Sequence, residues 1–410
     1  MAKFRNLSAA TTVLALLAGA AAAAAGPESA PEDAAAFTTL VVQPTVSPRP
    51  VDAADGRMHL VYELSVVNET SLYTRIDSIA AFDPATGAPL GEWTGDALAA
   101  ILRLNGRLPG LTVRPGGSAY AFLDASAPEG APVPKAVRHR IAVSRFMPSP
   151  DDKEKLVPVD PKSGVAATAS FEGAETAVDL RKAVVVEPPL RGKGWVAFNG
   201  CCADLQHRGG VMAFDGVAKI AERFAIDFMK LDADRRIFVG PADRNESYPT
   251  YGVPVYAVVG GTVVEASDGA PERIPTKPRE PITIANAAGN YVVVDIGGGN
   301  YALFAHLKTG TVAVKPGDRV KAGDVIGHAG DTGNSDAPHL HFHVMDGPSP
   351  LASNGIPYAF TDFAGAGRLT PDNERLLDSG GPANVEAEWR SGPHKAELPL
   401  DLEVIDFPEK

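Results

Sequence analysis

The sequence is short of cysteine, of aromatic residues and of positive charge, and it has almost no long apolar run. Its two cysteines are neighbours, Cys201 and Cys202, so any sulfur chemistry is confined to one spot in 410 residues. A formal net charge of −12 argues against nucleic acid or an anionic membrane as a partner held by bulk electrostatics. Aromatics make up only 7%, whereas glycine (41) and proline (35) are plentiful, a balance that favours short strands and turns over long helices. Beyond the N-terminus no stretch is long enough and apolar enough to span a bilayer.

The one long apolar run lies at the start. Lys3 and Arg5 precede "LSAATTVLALLAGAAAAAAG", whose small residues are followed at once by "GPESAPEDAA". Residues 1–25 therefore read as a cleaved signal peptide rather than a retained anchor, and no cysteine is near enough for lipidation. The expected location is secreted or periplasmic. In an oxidising compartment, Cys201 and Cys202 can form a vicinal disulfide or remain two buried thiols. A pair of thiolate zinc ligands ranks last, because adjacent residues rarely direct two ligands to one ion.

The fold class is mainly β. Residues 37–147 carry short strand-like runs separated by turns, and in "HLVYELSVVNE" Leu60, Tyr62, Leu64 and Val66 share one face. This spacing suggests an N-terminal immunoglobulin-like β-sandwich. Here His59 and His139 are isolated and read as structural or solvated. Residues 148–190 are polar and proline-broken, as expected of a linker. From 191 to 366, β-branched runs between Gly-rich turns predict hairpins of an antiparallel sheet. Residues 367–410 form a C-terminal extension in which "ELPLDLEVIDF" adds an edge strand and His394 is solvated.

Six of the nine histidines fall in the 191–366 region, three of them in "HLHFHV". On an extended strand, alternate side chains share a face roughly 6.6 Å apart, so His339, His341 and His343 face one way and Leu340, Phe342 and Val344 the other. A lone histidine is usually structural. Three in register beside others at turn edges point to a metal site.

"APHLHFHVMDG", "YALFAHL", "VKPGDRVKAGDVIGHAGDTGNSDAP" and "RFAIDF" together resemble the lysostaphin-type (LytM) zinc endopeptidases of bacterial cell walls. The resemblance implies a catalytic Zn2+ and hydrolysis of peptide bonds, most naturally peptidoglycan cross-links in stem peptides, by metal-activated water. It assigns His341 and Asp227 as zinc ligands, His339 as general base, and His306 to the developing oxyanion or to the water. The family's first zinc histidine stands four residues before the aspartate, where this chain has Arg223. A guanidinium has no lone pair and cannot ligate zinc.

His207 is the expected replacement. A hairpin closing at Asp215 and Gly216 would bring residues 207–211 back beside 220–228. His343 is the competing third ligand, or else a supporting residue. Arg223 would then lie near the metal, gripping a substrate carboxylate or neutralising Asp227. The alternative function is a non-catalytic LytM-like module, binding cell wall or regulating an amidase with a degenerate zinc site. Retention of Asp227, His306, His339 and His341 together favours the enzyme.

Overall fold

The computed structural model describes residues 37–410 apart from 106–107, 203–204, 278–280, 371–372 and 374–378. The expected signal peptide lies outside the described residues. Two six-stranded sheets form the N-terminal half. In the first, strand Arg57–Asn68 pairs with Leu40–Pro44, Pro50–Ala53 and Ser118–Pro128. In the second, Ala136–Pro148 pairs with Tyr73–Phe82, Leu156–Pro158 and Thr168–Ala177. One apolar core lies between them, containing Leu60, Tyr62, Leu64 and Val66 on one side and Ile76, Ile79 and Ile141 on the other.

Strand Arg57–Asn68 departs from the simple amphipathic reading, because its second face is also covered. His59, Val61 and Glu63 are buried, and Val61 belongs to the core of the following sheet. The segment expected as a linker also differs. Residues Thr168–Ala177 pair along Ala136–Ser144 and extend the sandwich, since alternation in "TASFEGAETA" suffices for an edge strand despite its polarity.

An eleven-stranded sheet carries the candidate site. Across its centre run Gly261–Ser267, Tyr291–Gly297, Asn300–Ala305, Leu340–Met345, Ile226–Lys230, Gly192–Phe198, Glu403–Phe407 and Phe363–Leu369, each antiparallel to the next. Glu403–Phe407 is therefore not an edge strand. It hydrogen-bonds Gly192–Phe198 on one side and Phe363–Leu369 on the other, and Ile405 and Phe407 join the core with Trp195, Phe228, Phe304, Phe342 and Phe360. His394 is likewise not solvated: its Nε2 donates to the Arg390 carbonyl at 2.8 Å, and its ring stacks on Phe363.

Candidate metal centre

Strand Leu340–Met345 sits between Asn300–Ala305 and Ile226–Lys230, and its register decides what meets what. His341 is directly opposite Asp227 on one neighbour and Ala305 on the other. Leu340, Phe342 and Val344 enter the aromatic core, leaving the three histidines on the opposite face. Asp227 therefore lies beside His341, with Oδ1 at 2.9 Å from Nδ1. His306 follows the last residue of its strand and has a left-handed φ of +60°, which turns its ring towards His339 at 4.7 Å between centroids.

His207 arrives by the expected route. Met212–Phe214 pairs with Val217–Lys219 around Asp215 and Gly216, both at positive φ, so the chain folds back. Nε2 of His207 lies 3.1 Å from Oδ2 of Asp227. The ligand atoms of His207, Asp227 and His341 all lie within 4.8 Å of one another. Two of these elements meet at strand Gly192–Phe198, where Phe198 pairs with Asp227 and Asn199 Nδ2 donates to Asp227 Oδ2 at 2.8 Å. No motif in the sequence singles out Asn199, which only this contact brings to the site.

Backbone carbonyls fix the tautomers. Nδ1 of His207 donates to the Asn199 carbonyl (2.9 Å), Nδ1 of His306 to Thr332 (2.7 Å) and Nδ1 of His339 to Ala337 (2.8 Å). In its neutral form each ring would then present its Nε2 lone pair to the centre, the orientation that a supported metal ligand or base requires. His341 differs: its Nδ1 faces Asp227, and its Nε2 meets His343 Nδ1 at 3.0 Å. His343 is fully buried behind it, and its own Nε2 has no hydrogen-bond partner among the described residues.

The donor set fits a divalent cation. Neutral His207 and His339 would each turn a lone pair towards the Asp227 carboxylate, at 3.1 and 3.4 Å, an arrangement that repels unless a positive charge lies between. Without a metal, protonation of an imidazole answers the same repulsion. Burial opposes a charged imidazole at His207, yet the Asp227 carboxylate raises it to about 10. Burial likewise works against the Asp227 carboxylate, but His207 and His339 hold it well below the usual range. His306 and His343 are pushed well below the ordinary imidazole value, by burial first and by neighbouring histidines second, so both are neutral.

Arg223 departs from expectation. It precedes the strand, which begins only at Ile226, and its guanidinium turns to Glu63 on the sandwich, at 2.9 Å from Nη2. Nη1 donates to the Gly355 carbonyl, and the residue is buried. With its donors spent there, it neither grips substrate nor neutralises Asp227. Cys201 and Cys202 are disulfide-bonded to each other, so they are not zinc ligands.

The centre opens into a cavity of about 690 Å3 lined by His207, Asp227, His306, His339, His341, Glu222, Asn334 and Asp336, with Phe198, Met229 and Leu351 among its apolar walls. Among the described residues its ionisable lining is carboxylates and imidazoles, without lysine or arginine.

Residues 247–353 match the model of Peptidase family M23. That stretch includes His306, His339, His341 and His343 but not His207, Arg223 or Asp227. Glycyl-glycine endopeptidase ALE-1 of Staphylococcus capitis is 37% identical over 118 residues, 28% of this chain and 30% of that protein. Lysostaphin of Staphylococcus simulans is 33% identical over 118 residues, 28% of this chain and 20% of its own length. The chain thus spans under a third of the length of these curated relatives. The crystallised catalytic domain of lysostaphin aligns over 40% of this chain and 88% of its own, at 24% identity and a TM-score of 0.21. Residues 247–353 are therefore similar to the M23, lysostaphin-type peptidases.

Proposed function

We propose that the protein is an exported zinc endopeptidase that hydrolyses peptide bonds, with the cross-links of peptidoglycan as substrate. Two of the relatives are named for peptide cleavage, one as a glycyl-glycine endopeptidase and one, from Vibrio cholerae, as a peptidoglycan DD-endopeptidase. The observation that carries the reading is the convergence of His207, Asp227 and His341, whose ligand atoms all lie within 4.8 Å of one another and could hold a metal ion. His207 stands in for the histidine that Arg223 replaces. His343 supports His341 from behind.

When bound, zinc supplies Lewis acidity to the scissile carbonyl and to the attacking water. The chain's own residues supply the proton traffic. His339, held by Ala337, offers Nε2 as the base that takes a proton from water and returns it to the leaving amine. His306, kept neutral by burial and held by Thr332, accepts a hydrogen bond at Nε2 and so orients the water rather than an oxyanion. Asn199 fixes the Asp227 carboxylate through Oδ2. The apolar walls hold the peptide and limit competing water.

The test combines metal analysis of the purified protein with digestion of peptidoglycan followed by mass spectrometry. One zinc per chain and release of cross-linked stem peptides are expected. His207→Ala should abolish stoichiometric zinc and lower hydrolysis by at least about 100-fold. Stoichiometric zinc and native activity in that variant would sink the assignment of His207. An inert chain without zinc would leave the non-catalytic module.

A further inference from the structure

We infer that Glu63, on the N-terminal sandwich, is a positioning residue for the metal centre. By binding Arg208 and Arg223 together, its carboxylate fixes the two segments that deliver His207 and Asp227. The inference rests on the reading that those residues hold zinc.

Glu63 alternates with Tyr62 and Leu64 on strand Arg57–Asn68 and points out of the sandwich core, yet it is fully buried. Arg223 meets it as a fork, with Nε at 3.1 and 3.2 Å from the two carboxylate oxygens and Nη2 at 2.9 Å from Oε2. Arg208 Nη2 lies 3.1 Å from Oε1, and Thr45 Oγ1 donates to Oε2 at 3.1 Å. Burial would push the Glu63 carboxyl up, but the two guanidinium groups outweigh it and hold it below its usual value. The planar fork of Arg223 sets direction as well as distance, which a single ammonium would not do.

Both arginines are tied to the site through the backbone. Arg208 follows His207; its Nη1 donates to the Cys202 carbonyl (2.5 Å), and the Nη2 that meets Glu63 also lies 3.2 Å from the Tyr62 carbonyl and 3.1 Å from that of Leu123. Its side chain thus locks the loop to the sandwich while the adjacent imidazole turns to Asp227. Arg223 lies two residues before Ala225, whose carbonyl accepts from His207 Nδ1 at 3.2 Å, and four before Asp227 itself. One carboxylate therefore holds both ends of the link between the loop and the strand. Ligand geometry depends on such support, because a site must be held within about 0.5 Å of its productive geometry and loss of a supporting partner typically weakens metal binding about 10–100-fold.

The experiment titrates chelator-treated full-length protein with Zn2+ against a chromogenic chelator, with circular dichroism and thermal melts of the metal-free form. Glu63→Gln and Arg208→Lys are compared with Leu64→Ala, which damages the sandwich core on the same strand without touching either arginine. Glu63→Gln and Arg208→Lys should weaken zinc binding at least tenfold while the circular dichroism stays native. Leu64→Ala should lower the melting temperature and leave zinc affinity within twofold. Should Glu63→Gln fail to fold, Arg208→Lys decides. Native zinc affinity in a folded Arg208→Lys variant, or an equal loss in Leu64→Ala, overturns the inference. If the unmodified protein binds no zinc, or His207→Ala binds it normally, the metal-centre reading fails first and takes this inference with it.

Discussion

A histidine's role in this chain is set by what its ring nitrogens touch. His207, His306 and His339 are polarised by backbone carbonyls towards the cavity. His139, which the sequence left as structural or solvated, shows the opposite use. It is fully buried, its Nδ1 donates to the Ala174 carbonyl and its Nε2 accepts from the Tyr62 hydroxyl at 2.7 Å. Burial lowers its pKa to about 4, against contrary hydrogen bonds to Ala174 and Gly173. The unfolded chain takes up a proton near pH ~6.5 while the folded chain does not. The stability this group contributes is therefore present above pH ~6.5 and lost as pH falls towards 4. Urea denaturation of the chelator-treated protein at pH 7 and 4.5 should show a smaller loss of stability in His139→Gln than in the native chain. An equal loss in both would show that His139 does not carry this dependence.

Elements position these residues through register and close backbone approach. The alternation in "HLHFHV" was legible because a strand has a period of two, and the structure puts Leu340, Phe342 and Val344 into the core accordingly. The partner strand was less legible. "RFAIDF" alternates too, but its first residues form a turn, and this sends Arg223 to Glu63 rather than to the metal side. The loop after Ala329 matters as much as the strands. Gly333 has a φ of +74°, and a Cβ there would lie 2.3 Å from the Gly289 nitrogen and 2.6 Å from the Ala287 carbonyl oxygen. Backbone atoms cannot give way cheaply. Gly333→Ala should cost more than about 1 kcal/mol of stability and displace the neighbouring Thr332 that holds His306. Thermal melts and turnover should both fall, and native values for both would refute the close-approach argument.

For the whole molecule, the sandwich and the large sheet share buried surface. Residues Thr38–Lys410 form one compact unit. Val51, Ala53, Ala54 and Val61 from the N-terminal part lie in the same core as Trp195 and Phe228. A chain beginning at residue 191 would expose that apolar surface and leave Arg208 and Arg223 without their carboxylate, and breaking a buried pair in this way costs about 3–5 kcal/mol. Such a fragment should be insoluble or lack near-ultraviolet dichroism. A cooperative melt close to that of the full chain would contradict this.

By itself the sequence determined the β-rich class, the shared face of His339, His341 and His343, that a guanidinium at Arg223 cannot ligate a metal, and the turn at Asp215 and Gly216. Those features follow from local period, from residue chemistry and from the hairpin signal at Asp215 and Gly216. Only the tertiary structure decided where Arg223 turns, that Glu63 faces it, that Asn199 holds Asp227, and that Glu403–Phe407 is an interior strand. Each of these depends on groups far apart in the chain: 28 residues for Asn199 and Asp227, 160 for Glu63 and Arg223, and farther still for Gly192 and Phe407. A period or a turn signal reports only on neighbours. Burial of a charge has to be balanced by whatever the fold brings beside it, and that balance exists only once the chain is folded.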